Sequence, residues 1–262
     1  MKKTLLVTGA IVALFAAQTV RASYTDTFDS LNPGWTTDRY EPLSFGPVSF
    51  LGGNWLKVTP TGVNSPSPFD STFYRTQGRQ IQTLVNSSQW AFSFDQYVPT
   101  EAVSGNNLRR SDGWGRFGDV GVENANTGYM IMGYKRFDNA DPFNPLAGGI
   151  TSAFRVWDAD TANGWVELGT PVTAGVHSWL ALFNGSSIQT YLDGNLVYTD
   201  TTLTAGASSF TSMFAQAYNF SDGPYDAHFD NMSITAVPEP TSTIMLGGVG
   251  VLALLHRIRQ RK

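Results

Sequence analysis

The chain has 262 residues, with 21 acids, 17 bases and no cysteine. That length fits one large β domain or two small ones, and the missing cysteines exclude a disulfide scaffold, a thiol nucleophile, an iron–sulfur cluster and cysteine-held zinc. Charged residues make up 15%, aromatics 13%, and 26 residues are glycine, a balance that favours β structure with many turns over a helical bundle or a disordered chain.

The N-terminal segment reads as an address. Met1-Lys2-Lys3 is basic, Leu5 to Ala17 is apolar, and Val20-Arg21-Ala22 puts small residues three and one before a cut after Ala22. This pattern predicts a secretory signal peptide over 1–22, too short for a stable span. Export also suits a body that avoids oxidisable thiols. Residues 23–236 hold 10 bases against 20 acids, a net charge of −10 hidden behind basic ends. Such a body repels phosphates, so no nucleic-acid role is expected.

Within 23–236, short alternating or aromatic runs predict strands at 54–59, 89–98, 127–136, 151–158, 176–184, 187–193, 195–200, 210–219 and 226–235. Trp90, Phe92 and Phe94 alternate with polar neighbours, the period of a half-buried strand. Asn184-Gly185-Ser186 and Asp193-Gly194 mark turns, the second a tight hairpin. No stretch keeps an apolar helical period over three turns, and no long linker divides the segment. Ten to fourteen strands in one all-β, two-sheet jelly-roll sandwich are expected.

Catalytic patterns are sparse. The glutamates Glu41, Glu101, Glu123 and Glu167 are far apart, and no Glu-x-Asp-x-Glu occurs. Asp158 and Asp160 have the i, i+2 spacing of a shared strand face, yet they precede Thr161-Ala162-Asn163-Gly164, which reads as a turn. His177 and His228 are the only histidines of the body and lack metal-ligand spacing; His177 reads as a strand residue. Gly-x-Ser-x-Gly is missing. The chain is therefore expected not to be an enzyme.

One segment suggests sugar binding. The stretch Ser104 to Gly118 carries Asn106, Asn107, Arg109, Arg110, Asp112, Trp114 and Arg116. It reads as a polar loop presenting Trp114 between two glycines, with Arg109 and Arg116 as hydroxyl donors and the indole stacking on a sugar face. Tyr134, Arg136 and Asp138 join it if the strand 127–136 ends at that face. Polysaccharide is the ligand this implies.

The C-terminal segment, 237–262, has three parts: Val237-Pro238-Glu239-Pro240, an apolar run of about 15 residues from Thr241 to Leu255, and a basic end with Arg257, Arg259, Arg261 and Lys262. The run falls short of the ~20 residues that comfortably cross a bilayer, and the basic end stays cytoplasmic. Together these resemble the PEP-CTERM sorting signal of Gram-negative bacteria that make extracellular polysaccharide. The resemblance implies a membrane segment, recognition by an exosortase-type transpeptidase at Val237, Pro238, Glu239 and Pro240, and delivery to the cell envelope, surface or matrix.

A second resemblance spans the body. Trp179-Leu180-Ala181-Leu182, the hairpin through Asp193-Gly194 to Tyr198, the start Asp26 to Leu31 with Trp35, and the close Phe229 to Ile234 are similar to the concanavalin A-like lectin and glucanase pattern, including laminin-G-like domains. That likeness implies a structural calcium joining a final-strand aspartate, here Asp230, to carbonyls near the chain start and after an early glycine, here Gly53. It leaves two other readings open: a divergent glycoside hydrolase using aspartates, and a structural or adhesive matrix protein.

Overall fold

In the computed structural model, residues 23–62, 75–104, 108–118, 127–136, 152–161, 164–203, 206–221 and 223–237 are described. The signal-peptide segment, Asn106, Asn107 and Asp138, and the tail from Pro238 onward lie outside them.

The described residues form two antiparallel sheets. The eight-stranded sheet runs β13 (Asn195–Asp200), β12 (Ile188–Leu192), β11 (Gly175–Phe183), β6 (Trp90–Val98), β15 (Ala227–Ala236), β4 (Gly53–Thr59) and β3 (Ser44–Phe50), with β1 (Ser23–Asp26) also paired to β15. The seven-stranded sheet runs β10 (Trp165–Glu167), β9 (Ser152–Trp157), β8 (Gly128–Arg136), β7 (Arg109–Phe117), β14 (Ser209–Tyr218), β5 (Thr76–Asn86) and β2 (Thr36–Thr37). This is the expected all-β, two-sheet jelly roll. The nine predicted strands are all present within a residue or so of their ends.

Alternation builds the interior. On β6, Trp90, Phe92, Phe94, Gln96 and Val98 are buried and the residues between them are half-buried. Trp179, Ala181 and Phe183 of β11 and Phe229, Met232 and Ile234 of β15 join them from the same sheet. Phe210, Met213 and Ala215 of β14 and Met130, Met132 and Tyr134 of β8 close the core from the other. Gln96 is the polar exception. Its Nε2 donates to Ser111 O at 2.8 Å and Ser111 Oγ at 2.9 Å, and its Oε1 accepts from Trp179 Nε1 at 3.0 Å. The amide is thus satisfied while it bridges the sheets.

Turn chemistry sets the hairpins. Asp193 and Gly194 both have positive φ, 50° and 78°, as the tight turn from β12 to β13 requires. Pro47, which cannot donate to a ladder, sits on the edge strand β3.

Six of the fifteen described strands were not predicted: β1, β2, β3, β5, β10 and, most consequentially, β7. The segment expected as a loop around Trp114 is a nine-residue strand at the middle of the seven-stranded sheet. Its glycines serve packing rather than a turn. A Cβ on Gly113 would lie 2.4 Å from the Phe94 ring, and one on Gly115 2.6 Å from Phe210, so only glycine lets the two sheets approach this closely.

Candidate functional site

Strand alternation sorts β7 into two faces. Ser111, Gly113, Gly115 and Phe117 turn to the interior, whereas Arg110, Asp112, Trp114 and Arg116 turn to the outer face of the sheet. Trp114 belongs accordingly to a second apolar cluster, separate from the main core, with Ile131, Phe214, Tyr129, Trp157 and Trp165.

Register lines these residues up in rows across the sheet. One row is aromatic and apolar: Phe214 opposite Trp114, Trp114 opposite Ile131, Ile131 opposite Trp157, and Trp157 opposite Trp165. The adjacent row is polar: Gly78, Gln216, Asp112, Gly133, Arg155 and Glu167, each opposite the next. Arginines tie the rows together. Arg155 lies 3.6 Å above the Trp165 ring, Arg110 lies 4.9 Å from both Trp165 and Tyr218, and Arg39 covers Trp114 at 4.6 Å. Arg110 Nε donates to Asp112 Oδ2 at 2.6 Å, Arg39 pairs with Asp38, and Gln216 Nε2 donates to Asp38 Oδ2 at 3.2 Å.

This geometry corrects the sequence reading of the sugar site in three ways. Trp114 is not presented by a loop; it is only 2% exposed, packed against Phe214 at 5.9 Å and Tyr129 at 6.1 Å. Among the described residues, the rings left half-exposed in this cluster are Tyr129, Trp157 and Trp165. Arg109 is on the wrong parity to share the face, and its guanidinium lies over Tyr225, a core residue, at 4.7 Å. Arg116 does share it, held by Thr211 Oγ1 at 3.3 Å and Ser212 Oγ at 3.1 Å. Sequence reasoning missed Arg155, Trp157, Trp165 and Gln216. Large polar or aromatic residues at 110, 112, 114 and 116 against small ones at 111, 113 and 115 were the available signal, masked by the habit of reading glycine as turn.

Carboxylates gather at the end of β9. Asp158 accepts from Asp160 N at 2.9 Å and from Tyr198 Oη at 2.6 Å, which bears out the turn expected there. The carboxylate oxygens of Asp158, Asp160 and Asp200 lie within 4.8 Å of one another and can hold a metal ion. Burial above all, with the charges of Asp158 and Asp160 adding, pushes the Asp200 carboxyl up. Asp200 is 40 residues from this pair and was not legible as its neighbour. The two residues expected at a calcium, Asp230 and Gly53, sit on the neighbouring strands β15 and β4. Burial, then Asp95, Asp29 and Asp26, push the Asp230 carboxyl up.

His177 is buried on β11, its Nδ1 2.7 Å from Asp193 Oδ2 and its Nε2 2.8 Å from Thr173 O. It is a strand residue, as expected, and its contact with Asp193 ties it to the β12–β13 turn.

No family model matches the chain, and no curated protein matches it. Solved structures do match. A glycoside hydrolase family 16 endo-glucanase from Bacteroides ovatus is similar at a TM-score of 0.50 and 10% identity, over 80% of this chain and 98% of that one. The alginate lyase Aly36B, as a mutant in complex with alginate trisaccharide, is similar at 0.49 and 13%, over 84% of this chain and all of that one. A sialidase is similar at 0.49 and 15%, over 82% of this chain but only 18% of its own length. At such identities the likeness shows architecture alone, and the architecture is a two-sheet jelly-roll sandwich.

Proposed function

We propose that the chain is an exported cell-surface protein whose sandwich binds extracellular polysaccharide on the outer face of the seven-stranded sheet, without cleaving it. The observation that carries this reading is the pair of rows on that face. Aromatic rings stack on the apolar faces of sugars, and on this face Tyr129, Trp157 and Trp165 are half-exposed beside half-buried Glu167, while Asp112, Gln216 and Arg155 of the polar row are buried and hold the face in place. Among the described residues, five of the ten bases of the body stand on this face, Arg39, Arg110, Arg116, Lys135 and Arg155, against Asp38, Asp112 and Glu167. In a body of net charge −10, this is the side an anionic chain approaches most easily. Asp112 and Asp38 are each engaged by an arginine, the arrangement of binding groups rather than of an acid and base held for a glycosidic bond.

Sorting by an exosortase at Val237 to Pro240, passage through the membrane segment and residence at the cell surface complete the reading. They rest on the sequence alone. A structural calcium has as its first candidate place Asp230 and Gly53, which the sequence resemblance implies, and as its second the Asp158, Asp160 and Asp200 group that the structure brings together.

The test is electrophoresis of the purified chain through gels containing mixed-linkage β-glucan, xylan or alginate, with a reducing-end assay on the same mixtures. Retardation in at least one gel without release of reducing ends is expected. Trp165→Ala should weaken retardation about tenfold, since ~1.4 kcal/mol of stacking is that factor. Release of reducing ends would replace binding with hydrolysis, and retardation by none would remove the polysaccharide.

A further inference from the structure

The outer face of the eight-stranded sheet carries an open groove of about 690 Å³, within the range of about 300–1,000 Å³ usual for small-ligand sites. Register lays out its floor. Leu196, Tyr191, Leu180, Ser93 and Ser233 stand in one row, each opposite the next on β13, β12, β11, β6 and β15. Tyr191, Leu180 and Ser93 line the groove and are half-buried, so the row is apolar at one end, hydroxylic at the other and open to solvent throughout.

The polar wall is built by a bulge. Asp230 stands opposite Asp95 and Ser233 opposite Ser93, so Asn231 and Met232 together face the single residue Phe94. The extra residue breaks the alternation of β15: Met232 stays buried, while Asn231 turns outward at a φ of 50°, a backbone that asparagine tolerates better than most residues. Asn231 Nδ2 then donates to Asp95 Oδ2 at 2.8 Å, and Ser178 Oγ donates to Asp95 Oδ1 at 2.5 Å. Each oxygen of this half-buried carboxylate receives one protein donor and keeps a second lone-pair site. Among the described residues no base lines the groove, and Asp230 is the cross-strand neighbour of Asp95. An anionic chain is therefore repelled here, whereas a neutral one is not.

We infer that this groove binds a pyranose residue of a neutral polysaccharide, with Tyr191 and Leu180 under the apolar face of the sugar and Asp95 accepting from neighbouring hydroxyls. It is a second site, on the opposite side of the sandwich, and it does not rest on the reading of the seven-stranded sheet.

The experiment measures retardation of the purified chain in gels of mixed-linkage β-glucan and arabinoxylan, both neutral, and of alginate, an anion. Melting temperature and light scattering are recorded on the same samples. The parent should be retarded in at least one neutral gel, and Tyr191→Ala and Asp95→Ala should each weaken that retardation about tenfold without weakening any retardation in alginate. Asp95→Ala removes a like charge opposite Asp230 and leaves the exposed Ser178 and Asn231 to water. It should melt no more than about 2 °C below the parent, which keeps the test standing if Tyr191→Ala does not fold. Trp165→Ala, on the other face, should leave the neutral gels unchanged. Folded variants that keep the parent's retardation in the neutral gels overturn the groove, as does a parent retarded by alginate alone; in both cases the seven-stranded face stands as proposed. A parent that is dimeric and becomes monomeric in Tyr191→Ala overturns it in favour of a second copy of the chain. Failure of all three polysaccharides to retard the folded parent overturns both sites.

Discussion

Replacing Trp114 by alanine separates packing from presentation. The indole is 2% exposed and is enclosed by Phe214, Tyr129 and Ile131, with the Arg39 guanidinium over its face. Truncating a buried tryptophan to alanine costs about 3–5 kcal/mol. In a domain of this size each kcal/mol moves the melting temperature by about 2–4 °C, so Trp114→Ala should melt about 6–20 °C lower. Trp114→Phe keeps a ring in the site and should lose less than half of that. Scanning calorimetry on the purified chain, paired with polysaccharide gels, reads both properties. A shift under about 2 °C with retardation abolished would mean that the indole faces ligand, and the packing argument would fail.

Gln96→Leu strands the Trp179 N–H and Ser111 groups it joined and should cost about 2–4 kcal/mol in urea unfolding; a loss below ~0.5 kcal/mol would show that the bridge is replaceable. His228 is stacked on Phe50 at 4.0 Å between Lys57 and Asp226, and burial chiefly lowers its pKa from 6.5. The unfolded chain therefore takes up the proton first, so stability contributed above pH 6.5 is lost as pH falls below it. His228→Phe should flatten that acid-side loss in melts from pH 7 to pH 5, and an unchanged slope would assign the loss elsewhere. Calcium at a hundredfold excess over its Kd should stabilise the fold by about 2.7 kcal/mol. Whichever of Asp230→Ala and Asp200→Asn abolishes the difference between chelator and calcium melts marks the site, and equal melts of the parent in both would remove the metal.

The architecture was legible because its signals are local. Trp90, Phe92 and Phe94 alternate, and Asp193-Gly194 demands positive φ; both follow from residues adjacent in the chain. β5 hid behind Gln77, Gln80 and Gln82, polar residues that a strand flanked by neighbours on both sides can nonetheless carry. The site was less legible because it is assembled by register. Nothing in the sequence says that Asp112 stands opposite Gln216, 104 positions later, or that Arg155 reaches over Trp165. Trp114 and Arg116 were picked from the correct segment for a mistaken reason, and Arg109 fell to the other face by a single step of alternation.

That step has a consequence for how the chain can vary in length. β7 places Arg110, Asp112, Trp114 and Arg116 on one side and Ser111, Gly113, Gly115 and Phe117 on the other. Inserting or deleting one residue inside it would exchange the two sets, driving three charged groups and an indole into a space shaped by Phe94 and Phe210 for residues without side chains. The strand behaves as a reading frame: it tolerates exchange of one outward residue for another, but changes of length have to be absorbed before Arg109 or after Phe117.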